Sequence, residues 1–149
     1  QGPYGTVSLR IDGTWVRNYD YQNERGGEFI ENVGRYADAT PVFRWRHNAT
    51  IGWNKGPWGA SLTNRYMSGY TDQNAVEPQF FNHVNSYSVW SLSGNYTGIK
   101  NVDLTVGVRN LFDEDPPFTN QSTTFQQGYD PRYTDPLGRT WYARITYKF

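Results

Sequence analysis

The sequence has no cysteine, a single methionine and two histidines among its 149 residues. Without cysteine there is no disulfide framework, thiolate zinc site or thiol nucleophile. His47 and His83 lie far apart in sequence and make no metal or haem site between them, so no cofactor is expected. Net charge is missing too: 14 Lys and Arg balance 14 Asp and Glu, which offers nucleic acid no electrostatic footprint. No apolar run approaches the length of a spanning helix, so a membrane role has to use strands. Hydrophobic residues are 36% of the chain and aromatics 17%, so amphipathic rings stand where a soluble core would carry aliphatic filling. Catalysis finds no support: no nucleophile-elbow motif accompanies a serine, and Asp113, Glu114 and Asp115 ahead of Pro116 and Pro117 read as a solvated turn. No enzyme is expected.

What the sequence does have is alternation. In "TVSLRIDGTWV" Val7, Leu9, Ile11, Gly13 and Trp15 share one parity and Ser8, Arg10, Asp12 and Thr14 the other, the period of a half-greasy strand. The same split runs through "VFRWRHNATIGWN", with Phe43, Trp45, His47, Ala49, Ile51 and Trp53 on the apolar side. After the turn signal "NKGPWG" it resumes with Trp58, Ala60, Leu62, Asn64 and Tyr66, and Tyr70 closes that strand on the apolar face. Further runs are expected over residues 84–96, 102–109 and 141–149, the last carrying Trp141, Ala143, Ile145, Tyr147 and Phe149 on one face. Connections at residues 55–57 and 97–101 are tight, whereas residues 22–40, 71–83 and 113–138 form long loops at the other end of the strands.

Charge and ring placement say what wets the greasy face. Arg10, Asp12, Arg44, Arg46, Arg65, Asp103, Arg109, Arg144 and Lys148 all take the polar parity; Arg17 takes the apolar one, at a loop end where it can reach water. Near the tight turns lie Trp53, Trp58, Tyr96, Tyr147 and Phe149, and near the long loops Trp15, Phe43, Trp45, Tyr66, Tyr70 and Trp141. An aliphatic band of Leu9, Ile11, Ala49, Ile51, Leu62, Leu104, Val106 and Ile145 separates them. Two aromatic belts around an aliphatic band is the layout of a membrane barrel, because Trp and Tyr prefer the headgroup interface. A terminal strand of roughly 11 residues tilted by ~40° spans about 28 Å, close to the ~25 Å apolar band of such barrels. His47, on the lipid parity, is an anomaly in this scheme.

"LTVGVRNLFDEDPPF" followed by "YDPRYTDPLGRTWYARITYKF" resembles the carboxy-terminal end of a TonB-dependent outer-membrane receptor. The segment Asn110, Leu111, Phe112 and Asp113 ends the penultimate strand of that family, and Gly138 and Arg139 open the last. The upstream "NRYMSGYTDQN" and "VWSLSGNY" are similar to strands of the same family, and the likeness is strongest from about Val84 onward. The resemblance implies an all-β antiparallel transmembrane barrel segment, about six strands of a large barrel of about 22. It implies uptake of a scarce ligand driven by TonB, an iron-siderophore first among them, in the outer membrane of a Gram-negative bacterium. The partners implied are outer-membrane lipid, the receptor's own plug domain, the rest of the barrel, the TonB complex and a small-molecule ligand. Residues 1–149 are expected to be the carboxy-terminal part of the barrel, with plug and TonB box outside this chain. Gln1 opens the chain without Met or a charged leader, which reads as processing or as a piece of something longer.

The site expectations follow. Trp141, Ile145, Tyr147 and Phe149 resemble the terminal signal read by the outer-membrane assembly machinery. Arg10, Arg44, Arg46, Arg65, Arg109 and Arg144 face the lumen, where they either guide an anionic ligand or bond plug residues and neighbouring carboxylates; the second is expected first, since a plugged lumen is a polar protein interface. Phe125, Tyr129, Arg132 and Tyr133, with Asp130 and Asp135, suit a ligand rim or an ordered loop packing on its neighbours. Two other classes stay open: a small closed outer-membrane barrel with an adhesion or structural role, and a soluble carbohydrate-binding β-sandwich.

Overall fold

The computed structural model describes residues 2–22, 24–37, 40–73, 77–121 and 127–149. In chain order its strands are β1 (Thr6–Trp15), β2 (Asp20–Tyr21), β3 (Ile30–Glu31), β4 (Tyr36–Ala37), β5 (Thr40–Pro41), β6 (Trp45–Lys55) and β7 (Trp58–Met67). They continue with β8 (Tyr70–Asp72), β9 (Asn82–Val84), β10 (Tyr87–Ile99), β11 (Val102–Arg109) and β12 (Thr140–Tyr147), and a 3-10 turn spans Pro78–Phe80. The long strands build one antiparallel six-stranded sheet in the order β1-β6-β7-β10-β11-β12, a meander in which each strand returns beside its neighbour. Among the described residues no helix is long and apolar enough to cross a membrane.

Register brings like residues to one face. Leu9 opposes Ile51, Ile51 opposes Leu62, and Leu62 opposes Leu92, while Leu104 lies against Ile145. Val7 is 69% exposed, Leu9 66%, Trp141 69% and Ile145 75%, so this stripe has nothing packed on it. A sandwich would have pressed the stripe against a second sheet, and the sandwich reading falls on that observation. Rings sort by height as expected: Trp15 meets Trp45 at 6.1 Å near the loops, while Trp58 meets Tyr96 at 4.4 Å and Tyr147 meets Phe149 at 5.2 Å at the far end. Gly107 lies close under the Tyr142 ring directly opposite, and a Cβ there would sit 2.5 Å from it, so the ring would have to move to admit one.

Several expectations about strand ends need correction. Strand β6 begins at Trp45 rather than Val42 and runs on to Lys55, a second cation on the apolar parity, at the turn where it reaches water. Strand β10 begins at Tyr87, and Val84 belongs to the short β9. Phe43 and Tyr70 do not join the outer aromatic belt. They lie past the ends of β6 and β7, where the chain has left the sheet's alternation, and are buried with Met67, Val84 and Tyr87 in a core formed by the loops. The expected loop 71–83 is not plain throughout: Tyr70–Asp72 and Asn82–Val84 pair as the β8-β9 ribbon, bridged through Arg35 and Thr71 to the stretch before β4. Gln73 completes that ledge by imitating a strand: its amide accepts from Tyr36 N at 3.1 Å and donates to Tyr36 O at 2.6 Å.

Candidate functional site

The reverse of the sheet carries the arginines. Arg10, Arg46, Arg65, Arg109 and Arg144 stand on the polar parity of β1, β6, β7, β11 and β12, and Arg44 precedes β6 on the same parity. Among the described residues none of these six has a carboxylate within 4 Å; the ion pairs there are Arg132–Asp130 and Lys148–Asp103. Among the described residues no carboxylate takes the neighbouring role expected beside them. Arg109 instead lies 5.6 Å over the Tyr142 ring, and Arg65 donates through Nη2 to Tyr133 O at 3.0 Å.

That last bond roofs the wall. Residues 127–138 fold back over the arginine face and are fastened on several sides. Tyr133 packs edge-on against Phe43 at 5.2 Å, and its hydroxyl is 2.5 Å from Thr40 Oγ1. Arg132 grips Asp130 through Nε at 2.9 Å and Nη2 at 2.7 Å, and also donates to the Tyr36 hydroxyl at 3.0 Å. The hydrogen bonds to Asp130 push the Arg132 guanidinium pKa up, outweighing its partial burial. Beneath the roof a cavity of about 320 Å³ is lined by Asp12, Arg46, Asn48, Arg65, Arg132 and Tyr133. Beside it a cavity of about 440 Å³ includes Arg65, Arg109, Asp135 and Tyr142. Tyr129 is half-buried in the same loop, and Phe125 lies outside the described residues.

Behind the roof sits a buried polar chain with little sequence signal. Asp72 is fully buried; its Oδ2 accepts from Thr119 Oγ1 at 2.5 Å and Asn120 N at 2.9 Å. Tyr70, 5% exposed, also engages Thr119, and its hydroxyl is pushed up to about 12, chiefly by burial and further by the charges of Asp72 and Asp130. Asp72 and Thr119 are 47 positions apart, so only the fold introduces them.

The motif residues converge. Asn110 turns the chain with φ 52° and holds Glu114 through both amide atoms, at 2.8 and 2.9 Å. Asp113, at φ 60°, presents Oδ1 to Arg139 N at 2.6 Å, which ties the end of β11 to the start of β12. Asp113 is thus a clamp rather than only a solvated turn. Gly138 has φ 62°, and a Cβ there would lie 2.8 Å from Asp113 Oδ1. Leu111 N donates to Trp90 O at 2.7 Å, and Phe112 is exposed. Trp141, Ile145 and Tyr147 line the bare face of β12, with Phe149 just beyond it.

An open meander, bare and apolar on one face, arginine-bearing and loop-roofed on the other, is the wall of a transmembrane β-barrel. The chain belongs to the TonB dependent receptor-like β-barrel family, whose model matches residues 5–111, reaching only the first half of the N-L-F-D segment. It is similar to the ferrienterobactin receptor of Escherichia coli (strain K12), 27% identical over 165 residues, covering 100% of this chain and 22% of that protein. The fold is shared with a solved mutant of the ferric enterobactin receptor of Pseudomonas aeruginosa, at a TM-score of 0.64 and 20% identity over 96% of this chain and 20% of that one. The chain therefore spans about a fifth of the length of these relatives.

Proposed function

We propose that this chain is the carboxy-terminal part of the barrel of an outer-membrane receptor in a Gram-negative bacterium, and that the receptor takes up a ferric siderophore by TonB-driven transport. The observation that carries the reading is an arginine wall without carboxylate partners among the described residues, beneath a fastened loop and backed by a stripe left bare for lipid. Guanidinium groups in a partly enclosed site match an anionic ferric complex by charge and by hydrogen bonding. Arg46, Arg65 and Arg132 border the roofed cavity and are the candidate ligand contacts. Arg10, Arg44 and Arg144 do not border it and are left to face a plug domain encoded ahead of this chain. The free edges of β1 and β12 are where the remaining strands add, since an unpaired edge in lipid leaves backbone groups unsatisfied. Loops and plug capture the ligand, and an energised pull on the plug opens a path along the arginine wall.

The test is equilibrium binding of ferric enterobactin to the full-length receptor in detergent. Arg46→Gln combined with Arg65→Gln should weaken binding about tenfold or more, the effect of losing charged hydrogen bonds. Unchanged affinity in a correctly folded double variant would hand these arginines to the plug and remove the ligand role.

A further inference from the structure

On the lipid side of the sheet, near the loops, stands a connected set of polar side chains. Trp45 Nε1 donates to His47 Nδ1 at 2.8 Å, His47 Nε2 lies 2.9 Å from Asn64 Oδ1, and Asn64 Nδ2 donates to Ser88 Oγ at 3.0 Å. The direction is determined by chemistry: an indole N–H only donates, so Nδ1 accepts, the ring proton of neutral His47 sits on Nε2, and the amide oxygen of Asn64 receives it. The imidazole is stacked on Tyr66 at 5.4 Å, and Asn64 is only 7% exposed. The chain crosses from β6 through β7 to β10, and its polar groups satisfy one another in a setting where an unpaired one is expensive.

Its place in the sequence matters more than its presence. His47 lies between Arg46 and Asn48, Asn64 between Thr63 and Arg65, and Ser88 between Tyr87 and Val89; each of these six neighbours lines one of the two cavities, and His47 and Tyr66 themselves border the roofed one. We infer that His47, Asn64 and Ser88 are positioning residues. Bonded together across the back of β6, β7 and β10, they hold the backbone that aims Arg46 and Arg65 into the roofed cavity, and they act on the loop through the bond from Arg65 to Tyr133 O. This rests on the reading of that wall as the ligand-facing surface, but its test needs no ligand.

The full-length receptor is inserted into phosphatidylethanolamine and phosphatidylglycerol vesicles, and trypsin cleavage after Arg132 is followed by mass spectrometry, with heat-modifiable migration as the check on the barrel. Asn64→Leu and His47→Leu should speed cleavage about fivefold to tenfold, the scale of losing an ordinary hydrogen bond. His47→Gln should restore the wild-type rate, because an amide keeps one acceptor and one donor in the same order. Leu62→Ala, deeper on the same face, should leave cleavage unchanged. Asn64→Leu added to Arg65→Gln should give no more than Arg65→Gln alone, since both act through one contact. If Asn64→Leu fails to insert, Ser88→Ala reads the same chain end more gently. Unchanged cleavage in inserted variants, or effects of Asn64 and Arg65 that simply multiply, would overturn the inference. Neither result touches the uptake reading, and lost siderophore binding with intact coupling would leave the inference standing.

Discussion

At the scale of single residues the side chains that matter most are held by backbone geometry. Asp113 and Gly138 both occupy the left-handed region, and Asp113 accepts a 2.6 Å bond from Arg139 N beside that glycine. Asp113→Ala removes an exposed acceptor from a backbone N–H and should destabilise the β11–β12 end by about 0.5–1.5 kcal/mol, seen as a lower unfolding temperature of the heat-modifiable band, while Asp113→Asn should lose less. Tyr70 offers a pH readout. Its hydroxyl pKa is raised from the ordinary phenol value of 10.0 to about 12, so the neutral phenol is favoured in the folded loops. The stabilisation is fully present below pH 10.0 and disappears as pH rises through about 12. Tyr70→Phe should abolish the part of the alkaline loop opening in that window, as followed by proteolysis of the loops against tyrosinate absorbance.

At the scale of elements, each strand has two solvents. Ile145 and Arg144 are neighbours on β12 with opposite surroundings, so equal changes in charge should have unequal results. Ile145→Lys, at mid-height on the bare face, should cost about 2–4 kcal/mol of folding free energy in lipid vesicles, whereas Arg144→Gln on the lumenal face should leave insertion close to wild type. Gly107→Ala should disturb β11 and β12 together, because the Tyr142 ring occupies the space a methyl group needs. Alternation of side chains between two faces is a property of each strand taken alone, whatever strand it pairs with, which is why parity could be read without coordinates.

For the molecule as a whole, the sheet is an arc with two unpaired edges, β1 and β12, and a face without cover. Expressed alone in detergent, these 149 residues should associate edge to edge rather than behave as a monomer, which size-exclusion chromatography with cross-linking would report. A well-behaved, heat-modifiable monomer would instead favour a closed small barrel.

The sequence by itself determined which face of each long strand meets lipid, because parity, charge exclusion and ring height are properties of residues two apart. Val7 to Trp15 and Trp141 to Phe149 declare their environment with no partner in view. Tertiary structure alone decided what the loops do. Phe43, Tyr70 and Tyr133 come from segments whose partners lie far along the chain, and period-two reasoning, extended past the strand ends, sent the first two to the wrong solvent. Likewise Asp72 with Thr119, Arg65 with Tyr133, and His47 with Asn64 are pairs that strand parity cannot choose. Hydrogen bonds between distant residues depend on where the backbone brings two atoms, and that is set by the packing of the whole arc.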